Sequence, residues 1–352
     1  MAYLCILTHN NNLSMNKLQK RPNDFAPAFL LMIMAPLLTE VLPGATRFSS
    51  IFVFPIEVCV WGGGALMIRY AVRRWRLGWL NMLLLAFALA LAEECIIQQT
   101  SLAPMVIRLK GETYARALGV NYVYLLWALI YEPVFVVFLS VYLVELIYPG
   151  RRERPWISKG GFFAVIPLFL LGSLLAWFSW TQIARPKVFK MPVYNPPLIT
   201  ATIAAALIGA LIFIALKNKS NRQPAPLKPW APWILGITGA LWAVPLFGLV
   251  LLGFGIAPNF SPVIALAGGG LLLGLALYLV PKWTADARWQ RIHSFALIFG
   301  TILGSMGIGF VGFLGAVGPD LYFKIITNII AIIGLILLGI KTSSTSNPAY
   351  SH

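Results

Sequence analysis

Of the eleven acidic residues in this 352-residue chain, the ones placed to do chemistry are glutamates inside apolar runs. Glu93 and Glu94 stand side by side in AFALALAEECIIQQ, residues 86–99, and Glu40, Glu57, Glu132 and Glu145 interrupt neighbouring apolar runs. Asp24, Glu112, Glu153, Asp286 and Asp320 fall in loops or at the ends of runs. An ionised carboxylate at the centre of a membrane span costs about 2.5–3.5 kcal/mol on insertion scales. A set of them must be protonated in part, paired with cations, or open to a wet cavity. The chemistry on offer is binding of H+ or a small cation, or general acid and base work at one carboxyl.

The elements that must position these groups are membrane helices. The chain is 59% hydrophobic and only 11% charged, where a soluble domain carries about 25% charged residues. Apolar runs at 25–43, 49–70, 78–98, 120–147, 161–183, 197–216, 231–256, 261–281, 294–317 and 320–340 are each long enough for about 30 Å of hydrocarbon. The fold class expected is an all-α polytopic transmembrane bundle of about ten spans. The net charge of +16 sits in short loops beside these runs, so anionic lipid headgroups at the cytoplasmic face explain it and nucleic acid is excluded as a partner. Basic residues concentrate in alternate loops, as with Arg69, Arg73, Arg74 and Arg76 after the second run and Arg151, Arg152 and Arg154 after the fourth. The positive-inside rule then puts both termini in the cytoplasm. A bacterial inner membrane is the expected location, as a multi-pass cell-membrane protein.

Residues 1–24 read as a cytoplasmic N-terminal tail without a signal-peptide core, with translation starting at Met1 or Met15. Residues 25–216 form a first transmembrane block of six spans, and 217–230, KNKSNRQPAPLKPW, a basic cytoplasmic linker. Residues 231–341 form a second block of four glycine-rich spans, and 342–352 a disordered tail. Gly270 with Gly274, and Gly300 with Gly304, have the GxxxG spacing that lets helices approach closely, within one chain or between copies in an oligomer.

Counting depth along the spans brings Glu40, Glu57, Glu93, Glu94 and Glu132 into one zone between the midplane and the outer face. Glu145 falls near the cytoplasmic end, where it is expected to snorkel to water. Gln98 lies one α-helical turn beyond Glu94 and is placed to hold its carboxylate. Arg47, Arg108, Lys110 and Arg116 are the outer-face charge partners. Residues 98–119 read as an interfacial helix over the zone. Pro36 and Pro43 flank Glu40, and Pro133 follows Glu132, and each removes a helical hydrogen bond and frees a carbonyl. The three cysteines make no disulfide framework, and no Cys/His metal spacing is present, so neither metal nor cofactor is expected.

Glu93-Glu94-Cys95-Ile96-Ile97-Gln98 resembles the EExxxR motif of CAAX-type intramembrane proteases, with Gln98 in the place of the arginine. The resemblance covers six residues. It implies water activation by the glutamates with help from histidines on later helices. Here Trp289 and His293 have the spacing of the first histidine motif, and a second is missing.

Three function classes follow. The first is a proton- or cation-linked secondary transporter using the buried glutamates. The second is an intramembrane enzyme acting on a lipid, isoprenoid or peptide, with a glutamate as general acid or base. The third is a non-catalytic membrane subunit or assembly factor in which the glutamates are structural polar groups.

Overall fold

The computed structural model describes residues 25–106, 114–218, 224–257 and 259–344. Among them, nine helices are long and apolar enough to cross a membrane, and a shorter apolar helix precedes them. In chain order these are α1 (Phe25–Val41), α2 (Phe48–Arg74), α3 (Trp79–Ile97), α4 (Tyr122–Ile147), α5 (Lys159–Val188), α6 (Leu198–Lys217), α7 (Pro232–Ile256), α8 (Pro262–Thr284), α9 (Arg291–Phe313) and α10 (Pro319–Ser344). The protein is an all-α multi-pass membrane bundle. Helix α1, at a rise of about 1.5 Å per residue, is shorter than the hydrocarbon core. Helix α10 continues through Ser344, into the stretch read as a tail.

Chemistry at the helix ends explains the boundaries. Pro232, Pro262 and Pro319 open their helices at the first turn, where no backbone N–H is needed. Ser158 Oγ caps α5 by accepting from Gly161 N at 3.1 Å. Helix α1 ends when the Glu40 carbonyl accepts N–H bonds from Gly44, Ala45 and Thr46. Gly44 makes that turn at φ 94°, a conformation that L side chains rarely adopt. The described parts of 98–119 are turns and a hairpin, β1 (Arg116–Ala117) against β2 (Val120–Asn121), in place of the expected interfacial helix. The Asn121 side chain sets this path, donating to the Thr100 and Ala103 carbonyls.

Helices α2 to α4 form the centre. Over its most apolar stretch α4 is 78% buried, whereas α5, α6 and α8 are each 11% buried and turn large aliphatic side chains outward. Such exposure carries no hydrophobic penalty in lipid. One apolar cluster joins α1 to α5 through Leu31, Val60, Ala86 and Val136. A second joins α4 to α7, α9 and α10 through Phe135, Leu246, Ile302 and Leu335. Helices α7 and α9 touch backbone to backbone, since a Cβ on Gly304 would lie 2.8 Å from the Ala240 carbonyl. Polar contacts establish which helix ends share a face. Arg69 of α2 reaches Glu145 of α4, and Arg291 of α9 reaches the Leu146 carbonyl. At the other face Lys324 of α10 reaches the Leu42 carbonyl beyond α1.

Candidate functional site

Each glutamate of the expected zone sits in or beside a widened helical turn. Glu40 lies within a π-helical turn, Leu37–Val41, directly after Pro36. Glu57 is the last residue before a second, Val58–Gly62, and Glu93 and Glu94 open a third, Glu93–Ile97. Glu132 immediately precedes a fourth, Pro133–Leu139. A proline cannot supply the helical N–H, and at Pro36 and Pro133 the chain answers by widening the helix. π-turns of this kind are frequent at functional sites.

The structure brings the five carboxyl groups together. Glu40 is within electrostatic range of Glu57 and Glu94, and Glu93 of Glu94, Glu40 and Glu57. Glu132 feels Glu94, Glu93 and Glu40, and its side chain meets that of Glu94. Two carboxyl groups that meet can bond to each other only with a proton on one of them. Glu57, Glu93, Glu94 and Glu132 are buried, and Glu40 is half-buried. Thr46 Oγ1 donates to Glu57 Oε1, and Ser101 Oγ donates to Glu94 Oε2 at 2.7 Å. Among the described residues both carboxyl oxygens of Glu93 are buried without a hydrogen-bond partner, as are Glu57 Oε2 and Glu132 Oε2. Tyr124 and Tyr131 stand in electrostatic range of the group, and Tyr131 donates its hydroxyl to the Thr39 carbonyl. Among the described residues, no three acidic, cysteine or histidine side chains converge closely enough to hold a metal ion.

The other candidates are placed as follows. Gln98 is half-buried and makes no side-chain hydrogen bond among the described residues; Ser101 takes the role foreseen for it on Glu94. The π-turn between Glu94 and Gln98 explains this, because a widened turn moves Gln98 off the face that α-helical spacing assigns. Arg47 Nη2 donates to the Gly312 carbonyl at 3.3 Å, and its guanidinium lies 4.6 Å from the centre of the Phe313 ring. Arg116 donates to Asn121 Oδ1 at 3.0 Å and to the Leu102 carbonyl at 2.6 Å. Arg108 and Lys110 lie outside the described residues.

Glu145 does not snorkel. It is 4% exposed and ion-paired with Arg69 at 3.1 Å, Arg73 at 2.8 Å and Arg152 at 3.5 Å. Arg69 is itself buried, stacks 3.2 Å over the Trp156 ring and donates to the Arg152 and Arg154 carbonyls. A carboxylate held by three arginines gains nothing by reaching for water. His293 is at this same end of the bundle, with its ring 5.5 Å from that of Trp289 and its Nδ1 accepting from Gln290 N. Glu93 and Glu94 are at the opposite end, so the pairing implied by the EExxxR resemblance does not form.

Several polar residues of the glutamate end were not legible. Lys324 is 1% exposed. Its ammonium donates to the Leu42 and Met306 carbonyls and lies 4.9 Å from the centre of the Phe310 ring. The Asn328 side-chain oxygen accepts from the same ammonium at 3.1 Å once the amide is oriented to satisfy both neighbours. Thr46, Ser101 and Tyr131 carry no spacing signal, because each reaches its partner across a turn or between helices. No family model, curated protein or solved structure matches this chain. The geometry therefore carries the functional argument alone.

Proposed function

We propose that this protein is a proton-linked secondary transporter whose coupling site is the carboxyl group of five glutamates, with Glu93, Glu94 and Glu132 at its heart. The observation that carries this reading is the state of those three side chains. Among the described residues Glu93 is buried with both oxygens unpartnered, beside the Glu94 and Glu132 carboxyls, which meet side chain to side chain. Ionised carboxyls this close in a low-dielectric interior repel strongly, so the group is built to take up and release positive charge. A proton fits better than a polydentate metal, because no three ligand side chains converge among the described residues. Coupling requires a route to water, and this reading assigns it to Glu40, the half-buried member of the group. On the positive-inside reading, this route opens on the outer face of the cell membrane and Glu145 marks the cytoplasmic face.

The intramembrane-enzyme reading draws on the EExxxR resemblance, and the histidine which that resemblance implies, His293, lies at the other end of the bundle. The structural-subunit reading leaves the orphaned Glu93 oxygens unexplained, because a purely structural buried carboxyl is expected to be satisfied by its neighbours.

The test uses the full chain in proteoliposomes loaded with a pH-sensitive dye. Carboxylates, phosphate, amines, sugars and monovalent cations are added outside in turn under an imposed pH gradient. We expect one class to drive proton movement, and the triple variant E93Q/E94Q/E132Q to abolish it. Solute-driven proton movement that survives the triple substitution would sink the proposal.

A further inference from the structure

Helix α5 ends in a π-helical stretch, Phe178–Val188, at the glutamate end of the bundle, and this stretch carries Arg185, 1% exposed. Its Nη1 donates to the Pro104 carbonyl at 3.0 Å. Its Nε and Nη2 are buried with no acceptor. Among the described residues no carboxylate is in electrostatic range. The charged neighbour is a second cation, Arg116, and the other group in range is the Tyr194 phenol. The nitrogens of Arg116 are turned to Asn121 and the Leu102 carbonyl and do not relieve Arg185.

This arrangement is costly as it stands. A buried guanidinium with open donors, facing another guanidinium, has neither a counter-charge nor full hydrogen bonding. The open donors are not arbitrary. Nε–H and Nη2–H form one edge of the planar guanidinium, the edge that grips two oxygens of a carboxylate or phosphate side by side.

We propose that Arg185, with Arg116 beside it, is the binding site for a small anion bearing a carboxylate or phosphate group. The anion accepts from Nε and Nη2 of Arg185, and Arg116 adds long-range attraction. The site is tied to the carboxyl group. Arg116 holds Asn121, the Asn121 backbone N–H donates to the Ser101 carbonyl at 2.8 Å, and Ser101 Oγ holds Glu94. An anion drawing on Arg116 pulls at the far end of the same chain of bonds that fixes Glu94. For its physiological role the inference rests on the transporter reading, and it then names the substrate class: an anion carried together with H+. Anion binding itself stands on Arg185 alone.

The experiment is thermal unfolding of the full chain in neutral detergent. Inorganic phosphate, acetate and succinate are titrated at constant ionic strength against chloride. We expect a saturable rise in Tm with at least one of them. R185K keeps the charge but loses the fork and should bind about tenfold more weakly or worse. R116Q should weaken binding with the site retained. R185M removes the unbalanced charge, so without anion it should melt at or above the wild-type temperature and show no response. A Tm response confined to nanodiscs containing phosphatidylglycerol, absent in phosphatidylcholine, assigns the site to a lipid headgroup and overturns the solute reading. Equal responses of wild type and R185M to every anion and both lipids overturn the site altogether. Anion binding without solute-driven proton movement leaves this site standing and removes the transporter reading. Proton movement driven by a cation or neutral solute, with R185M unaffected, does the reverse.

Discussion

Thr46 and Glu57 are joined by a hydrogen bond from Thr46 Oγ1 to Glu57 Oε1, across the turn that links the first helix to the second. The donor comes from the turn that the Glu40 carbonyl closes, so one short segment both ends α1 and anchors a site carboxyl. Replacing Thr46 by Val removes that donor and leaves Glu57 buried with neither oxygen partnered. The expected loss is about 1–3 kcal/mol, seen as a lower Tm. T46S should restore it, because the hydroxyl returns without the methyl group.

The two GxxxG motifs should behave oppositely. A Cβ on Gly300 would overlap the Gly236 carbonyl, whereas Gly270 and Gly274 have open space around them. G300A is expected to cost about 1–3 kcal/mol through forced separation of α7 and α9. G270A should be neutral or slightly stabilising, because alanine is the better helix former. Paired thermal melts of the two variants decide it.

Lys324 fastens the ends of α1, α9 and α10 through the Leu42 and Met306 carbonyls. K324M keeps most of the volume and removes the donor shared by the two carbonyls and the Asn328 amide oxygen. We expect a loss of about 1–3 kcal/mol and faster backbone hydrogen exchange at 42–46 and 306–310 than elsewhere. Unchanged exchange in those two segments would contradict the fastening role.

At the other face, E145Q removes the charge of the carboxylate paired with buried Arg69. Breaking a buried pair from one side costs about 3–5 kcal/mol, well above the loss of an exposed surface pair. The double variant R69M/E145M should recover part of that loss, and a double-mutant cycle by chemical denaturation measures the coupling.

The pH response of proton movement should belong to the membrane carboxyls and not to the loops. Asp286, between α8 and α9, accepts from the Arg288 side chain at 2.8 and 2.7 Å and from its backbone N–H, and these bonds hold its pKa down at about 2. A depressed carboxyl pKa contributes stability above the unfolded value that is lost as pH falls through the folded one, near 2. D286N should therefore leave a rate profile measured between about pH 5 and 8 unchanged. E93Q should flatten it.

The sequence by itself determined that this is a many-spanning helical membrane protein and where each span begins, because hydropathy and proline or glycine punctuation act within one helix and need no partner. It also determined that the carboxylates of the first four spans are the unusual groups, since the cost of charge in hydrocarbon depends on depth, and depth can be counted along a helix. Tertiary structure decided which of them meet. Glu94 is held by Ser101 and not Gln98 because a π-turn alters the rotation that α-helical spacing assumes. Glu145 is paired and not solvated because Arg69 and Arg73 of α2 stand opposite it, a matter of how two helices are rotated against each other. Lys324 and Arg185 carry no mark of burial in the sequence, yet both are buried, because helix ends from distant parts of the chain close over them. Burial of a polar side chain depends on its neighbours in space, and no window along one helix records who they are.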